Sequence, residues 1–182
     1  MNALKRMPVA AGILALCVVF ALVFGCFRSV SGLRTQAEQI FFSGAGGDGI
    51  GVASDLSARR DAALNLVTVA RRYLDPQDEE VTALEAAAMA LDGADTIGEK
   101  ARRNRELDRA AFALGDRLSR LELSQQDENY RAGLLAELSS RNATISHDPY
   151  NDAAQKYNEA LNALPAGFFG KLLGLAPLEL FR

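Results

Sequence analysis

The sequence of residues 97–121, IGEKARRNRELDRAAFALGDRLSRL, decides the fold class of this chain. Its apolar and small residues, with one asparagine, recur at steps of three or four, the spacing that places side chains on one face of an α-helix. This stripe consists of Ile97, Ala101, Asn104, Leu107, Ala111, Leu114, Leu118 and Leu121. Charged residues such as Lys100, Arg103 and Arg109 lie between its members. The stretch therefore predicts a helix of about seven turns with one buried face.

The preceding segments have the same periodicity. Residues 52–74 and 81–91 are predicted to be amphipathic helices, separated by Asp75-Pro76 and followed by Asp92-Gly93. In the first of them the apolar positions are Val52, Leu56, Ala63, Leu66, Val67, Ala70, Tyr73 and Leu74. We expect its arginines, Arg59, Arg60, Arg71 and Arg72, on the other faces. Asp95 or Thr96 is expected to cap the helix that follows Gly93.

Residues 130–164, which follow the 97–121 stretch in the sequence, have the same helical periodicity. One face is predicted to carry Tyr130, Leu134, Leu138, Ile145, Ala153, Tyr157, Leu161 and Leu164. Pro149 would remove a hydrogen bond from a continuous helix, so Asp148-Pro149 predicts that the helix restarts there, with His147 in the turn. No run alternates between apolar and polar residues as a strand does. Helices joined by short turns pack as antiparallel neighbours, which predicts an up-and-down bundle with coiled-coil-like contacts.

A second feature, the uninterrupted apolar run of residues 9–27, VAAGILALCVVFALVFGCF, precedes the bundle. As a helix it would span roughly 28 Å, close to the roughly 30 Å hydrocarbon core of a bilayer. It is longer than the core of a cleaved signal peptide, so we expect a retained transmembrane helix whose partner is the lipid bilayer. The alternative is a lipoprotein signal processed at Cys26, although Phe24 is bulky for such a site.

The apolar pattern continues past this run through Leu33, Ala37, Ile40 and Phe41, so the membrane helix is expected to extend into the next domain. Residues 43–51, SGAGGDGIG, then predict a linker or loop tip. The fold class predicted is all-α: an N-terminal transmembrane helix followed by an antiparallel up-and-down helical bundle.

Charge excludes one class of partner and leaves the orientation open. Lys5 and Arg6 precede the apolar run, while Arg28 and Arg34 follow it, so the positive-inside rule does not choose a side. Residues 28–182 carry 18 lysines and arginines against 23 aspartates and glutamates, a net charge of −5. Without a basic surplus, we expect no binding to nucleic acid.

Candidate chemical groups are few. Cys17 and Cys26 both lie in the apolar run, and His147 is the single histidine. Asp61, Glu85 and Glu137 could form a carboxylate set inside a bundle, but the Glu-x-x-His motif of di-iron bundles is missing. We therefore expect no catalytic residue, no cofactor and no bound metal.

Two stretches carry a resemblance to a known family. Residues 150–165, YNDAAQKYNEALNALP, contain two Tyr-Asn pairs seven residues apart, and residues 59–67 read RRDAALNLV. Together with the N-terminal apolar run, these stretches resemble the LemA family of bacterial proteins. The family-motif positions present in this chain are Tyr150, Asn151, Tyr157, Asn158, Pro165, Arg59, Asp61 and Asn65.

The resemblance implies a membrane-anchored bundle of the four-helix type, single-pass in the bacterial cell membrane, in a family without an established enzymatic activity. For the motif itself we expect a structural role. A tyrosine buries its ring while its hydroxyl finds a partner, and a mid-helix asparagine can link neighbouring helices. A binding stripe along the helix is the alternative.

The organisation predicted is a short polar N-terminus (1–8), a transmembrane anchor (9–27), a bundle (28–165) and an apolar C-terminal tail (166–182). Residues 168–175, FFGKLLGL, are expected to close the end of the bundle, with membrane-surface or partner contact as alternatives. We expect a membrane-anchored interaction protein without catalytic activity, whose protein partner the sequence does not identify. The alternatives are a ligand- or metal-binding bundle and a lipid-anchored envelope adaptor.

Overall fold

The computed structural model describes residues 3–181, and all regular structure in this range is helical. The helices are α1 (Ala3–Ser43), α2 (Val52–Ala70), α3 (Glu79–Asp92), α4 (Ile97–Ser119), α5 (Gln125–Ser146), α6 (Pro149–Asn162) and α7 (Ala166–Leu172). The prediction of an all-α protein with an N-terminal apolar helix followed by a helical bundle is confirmed.

Helix α1 contains the apolar run and continues beyond it without a break, as the pattern through Phe41 predicts. Its most apolar window has a mean hydropathy of 2.7, and none of that window is buried. By length and composition, α1 is the one helix between residues 3 and 181 that could cross a membrane. Of the predicted polar N-terminus, Met1 and Asn2 lie outside the described residues, as do the side chains of Lys5 and Arg6.

The described residues form two compact units. We call residues 3–37 with 153–178 the anchor unit, and residues 38–152 with 179–181 the bundle unit. The boundaries expected at residues 28 and 166 stay predictions.

In the bundle unit, α2, α3, α4 and α5 pack in a ring, each against its neighbours in the chain, and α5 closes the ring on α2. Asp55 near the start of α2 pairs with Arg141 near the end of α5. Conversely, Arg72, just after α2, pairs with Asp127 at the start of α5. These two helices are therefore antiparallel, as the up-and-down prediction requires.

Capping side chains define where the bundle helices begin. Thr96 and Glu99 form a complete capping box at the start of α4, and Asp78 and Ser124 accept backbone hydrogen bonds at the starts of α3 and α5. Each such cap stabilises a helix by about 1 kcal/mol. Thr96 is thus the cap of α4, Gly93 follows the last residue of α3, and α6 restarts at Pro149 as predicted.

The glycine-rich residues 44–51 form a tight turn that brings the start of α2 against the end of α1. Gly44 has a φ of 74°, a conformation that side-chain-bearing residues rarely adopt. At Gly51 a Cβ atom would lie 2.5 Å from the carbonyl oxygen of Phe41, so only glycine fits. The Asp48 carboxylate accepts a hydrogen bond from the Ile50 amide at 2.9 Å and closes the turn.

Three predicted side-chain positions are wrong. Leu164, expected on the buried face, is 83% exposed, because α6 ends at Asn162 and the helical stripe does not continue to this residue. Arg59 was expected on a solvated face, but it is fully buried, where it pairs with Asp108 and donates to the carbonyl oxygen of Leu138. Its position explains this, because it lies three residues after Leu56 and four before Ala63, inside the apolar stripe. Tyr130, expected on the buried face, is half-exposed, because it lies eight residues before the buried Leu138 and thus about 80° away from it around α5.

The buried arginine generates a stability prediction. Arg59→Ala leaves the Asp108 carboxylate and a buried carbonyl without their donor, so we expect the free energy of unfolding to fall by about 3 kcal/mol. Chemical denaturation of the full chain in detergent measures this. Arg59→Met combined with Asp108→Leu should recover most of the loss, because the two removed charges are replaced by apolar volume. A double variant as unstable as Arg59→Ala would contradict the assignment of the cost to an unpaired charge.

Candidate functional site

The first Tyr-Asn pair lies at the start of α6 and binds the C-terminal backbone. The hydroxyl of Tyr150 donates to the carbonyl oxygen of Glu179 at 2.7 Å. The amide oxygen of Asn151 accepts from the backbone N–H of Phe181 at 2.8 Å, while its nitrogen donates to the carbonyl of Ile145 at 2.9 Å. Both side chains are buried within the bundle unit. This pair therefore fastens residues 179–181 to the end of α5.

The second pair repeats the arrangement two turns later, in the anchor unit. The hydroxyl of Tyr157 donates to the carbonyl oxygen of Ala176 at 2.8 Å. Asn158 makes two bonds to Leu178, donating to its carbonyl and accepting from its N–H, each at 2.8 Å. This is the pair of bonds that two directly opposed residues exchange in an antiparallel sheet, here supplied by one side chain.

Both pairs contact backbone atoms of a segment, residues 175–181, that has no regular secondary structure. The asparagine amides were expected to link neighbouring helices, and the bonds to this irregular segment differ from that expectation. Backbone N–H and carbonyl groups are present whatever the side chains are. These hydrogen bonds therefore do not depend on which side chains the segment carries.

Aromatic packing reinforces the first pair. The rings of Phe41 and Tyr150 meet edge to face with centroids 5.2 Å apart, and the ring of Phe181 lies 5.7 Å from Phe41 and 6.0 Å from Tyr150. Burial raises the pKa of the Tyr150 phenol, with the nearby Glu179 and Glu38 charges acting in the same direction. Tyr150 therefore stays a neutral hydrogen-bond donor at physiological pH.

A polar cavity of about 120 Å³ lies between α4 and α5, and Phe181 forms one of its walls. Its polar lining consists of Asn104, Arg105, Asp108, Asn142 and Ser146. The amide nitrogen of Asn104 donates to Asn142 at 3.1 Å, while the buried amide oxygen of Asn104 has no hydrogen-bond partner. Arg105 pairs with Glu179 at 3.5 Å. The cavity can hold water or a small polar molecule, and its amides and ion pairs supply binding rather than a nucleophile.

The remaining motif residues are not brought to this site. Asp61 is exposed on α2 and pairs with Arg60, and Asn65 is exposed on the same helix. Pro165 is exposed and directly precedes α7. The motif thus divides into buried members, Arg59, Tyr150, Asn151 and Tyr157, the half-buried Asn158, and these three exposed positions.

The carboxylate set is also dispersed. Asp61, Glu85 and Glu137 pair with Arg60, Arg71 and Arg141 respectively, each on its own part of the bundle surface. Between residues 3 and 181, no three histidine, cysteine, aspartate or glutamate side chains converge in a way that could hold a metal ion. His147 caps the C-terminus of α5, and its Nδ1 lies 2.8 Å from the carbonyl oxygen of Ala143.

Sequence reasoning missed the buried carboxylate of Asp127. It accepts hydrogen bonds from Tyr73 at 2.6 Å and Ser124 at 3.0 Å, and it pairs with Arg72. The Tyr73 bond, with smaller contributions from Ser124 and Arg72, lowers the pKa of Asp127 despite its burial. The available signal was the Ser-x-x-Asp spacing, a relative of the capping box that marks the start of α5.

We expect Asn151→Leu to lower the free energy of unfolding by about 2 kcal/mol, because it leaves the buried Phe181 N–H without its acceptor and removes the amide donor to the Ile145 carbonyl. Asn65→Leu is the matched control and should change stability by no more than about 0.5 kcal/mol, since Asn65 is exposed. Denaturation of the full chain in detergent compares the two. Hydrogen exchange adds a local readout, in which Phe181 should lose protection in Asn151→Leu and keep it in Asn65→Leu. Equal effects of the two substitutions would contradict the assigned role.

The family relationship follows from comparison with known proteins. The model of the LemA family matches residues 50–182, which covers the whole of α2 to α7 and both Tyr-Asn pairs. No curated protein and no solved structure is significantly similar to the chain. Since the family model spans well over half of its length, the chain belongs to the LemA family.

Proposed function

We propose that this LemA protein is a single-pass protein of the bacterial cell membrane whose helical bundle binds other proteins and has no catalytic activity of its own. The observation that carries the proposal is α1, an apolar helix with an unburied membrane-length window that continues into the bundle unit, where Phe41 is fully buried. The bundle is thus covalently tethered at the end of the proposed anchor.

The exposure of α1 supports anchoring. Leu16 and Phe20 are each 71% exposed, although full burial of such a side chain is worth about 1.5–3 kcal/mol. A bilayer removes this cost along the whole run, whereas water does not. Membrane insertion therefore accounts for an apolar surface that the protein itself leaves uncovered.

Three lowered carboxylate pKa values in the bundle unit have local structural causes. The pKa of Glu99 is lowered by hydrogen bonds from Thr96 in the cap of α4. The pKa values of Glu106 and Glu128 are lowered by Arg103 and Arg131, each three residues away on the same helix. These shifts come from caps and local ion pairs, which stabilise helices, and they lie outside the polar cavity described above.

Anchoring predicts a specific response to charge. Leu16→Arg with Phe20→Arg should release the protein from membranes, because each arginine at the centre of a span costs about 2.5 kcal/mol or more. Alkaline carbonate extraction measures the retained fraction. Met89→Arg with Phe112→Arg is the matched control, since both residues are exposed on the bundle, and it should stay with the membrane.

Equal extraction of the two double variants would contradict insertion of α1. Cys26→Ala separates the alternative of a lipid anchor. Unchanged retention of this variant supports a spanning helix, whereas release would favour lipid attachment at Cys26 and overturn the spanning assignment.

The binding proposal predicts neighbours that depend on the bundle. Proximity labelling in cells should enrich the same membrane or envelope proteins around the intact chain in repeated experiments, and not around a fusion carrying residues 1–51 alone. The shorter fusion controls for crowding in the membrane. If both label the same proteins equally, the bundle is not the binding element and the proposal fails.

A further inference from the structure

Exposed apolar side chains in the anchor unit extend beyond the apolar run of α1. Leu164 is 83% exposed, Phe168 59%, Leu172 73% and Leu173 51%. We call these four residues the outer face of α7, although Leu164 lies just before that helix and Leu173 just after it. The expectation that residues 168–175 close the end of the bundle does not account for this exposure.

The neighbours of Gly170 show what α7 packs against. This glycine is buried, and a Cβ atom built there would lie 3.1 Å from Leu161 Cδ1 and 3.9 Å from Val30 Cγ1. Val30 is only 1% exposed. Helix α7 therefore packs against α1 at the level of Val30, within the anchor unit.

Val30 lies three residues beyond Phe27, the last residue of the apolar run, which is a rise of about 4.5 Å along a helix. On each side of its hydrocarbon core, a bilayer has a polar interfacial layer of roughly 5–7 Å. If the run fills the core, the level of Val30 falls within this layer. Helix α7 therefore lies at the depth where headgroups meet acyl chains.

On the outer face, Phe168 and Leu172 point away from α1. Phe168 and Leu172 lie two residues on either side of Gly170, about 200° around the helix, so they project opposite to the contact with Val30. Because the interfacial layer surrounds α1 on every side, a face directed away from α1 at this depth still meets lipid.

The charges nearby suit a lipid surface. Residues 160–178 contain no aspartate or glutamate, while Lys171 and Arg28 are exposed. An aromatic and leucine face next to basic side chains is the composition of interfacial helices, which place apolar groups below the headgroups and cations beside the phosphates. With seven residues, α7 is about 10 Å long and cannot span.

We propose that α7 is an interfacial membrane helix whose outer face inserts into the headgroup and upper acyl layer of the bilayer that α1 crosses. The C-terminal region then forms a second membrane contact, next to the span and distinct from it. This inference rests on the proposed anchoring through α1.

The experiment uses the full chain with Cys17→Ser and Cys26→Ser, reconstituted into vesicles of phosphatidylethanolamine and phosphatidylglycerol. Phe168→Cys and Leu172→Cys each receive an environment-sensitive NBD label. Phe112→Cys, on the exposed bundle surface, is the control outside the membrane, and Phe20→Cys is the control inside the span. Lipids carrying a quencher near the headgroup or deep in the acyl chain report the depth of each label.

Labels at 168 and 172 should be quenched by the shallow quencher at least twofold more strongly than the label at 112. Quenching at both positions no stronger than at 112 overturns the proposal. A blue-shifted but unquenched label also overturns it, because protein, from another copy or a partner, would then cover the face.

The label at position 20 separates this failure from failure of the proposed function. Deep quenching at 20 with none at 168 and 172 rejects only the interfacial helix, whereas no quenching at 20 rejects the anchor itself. Circular dichroism of each labelled protein checks that the helices are intact. Two independent positions on the outer face keep the test decisive if one variant fails to fold.

Discussion

The guanidinium of Arg59 joins three of the four bundle helices at one buried point. From α2 it reaches Asp108 on α4 and the carbonyl oxygen of Leu138 on α5. A buried cation without partners costs several kcal/mol, so an alternative register of these helices, which would move either partner away, is strongly penalised. Apolar stripes alone tolerate a shift by one turn, because leucine packs against leucine in either place. The arginine therefore adds specificity to a core that is otherwise built from interchangeable apolar contacts.

The spacing of the two Tyr-Asn pairs along α6 can be compared with the spacing of their backbone partners in residues 175–181. Seven residues of α6 rise about 10.5 Å. The backbone partners of the tyrosines, residues 176 and 179, and those of the asparagines, residues 178 and 181, are each three residues apart, or about 10 Å in an extended chain. A spacing of seven residues on α6 therefore corresponds to a spacing of three residues along the C-terminal segment.

The sequence predicted the bundle helices, the restart at Pro149 and a cap at Asp95 or Thr96, because periodicity, proline and capping chemistry act locally. The charge of Arg59 predicts a solvated face, whereas its position in the apolar stripe places it in the core beside Asp108. The partners of Asn151 and Asn158 were also unpredictable, because residues 175–181 have no periodicity that marks them as a bound segment. Their contacts depend on chain closure across 20 to 30 residues, which no local pattern encodes.

The C-terminal segment is held through its backbone, and this leaves the side chains of the C-terminal region largely unconstrained. The contacts of Tyr157 and Asn158 use main-chain atoms of Ala176 and Leu178, so they place few demands on the side chains before them. With the segment fastened through its backbone, α7 can carry exposed leucine and phenylalanine without weakening the attachment. The exposed side chains of α7 take no part in these backbone contacts and are available for a lipid surface.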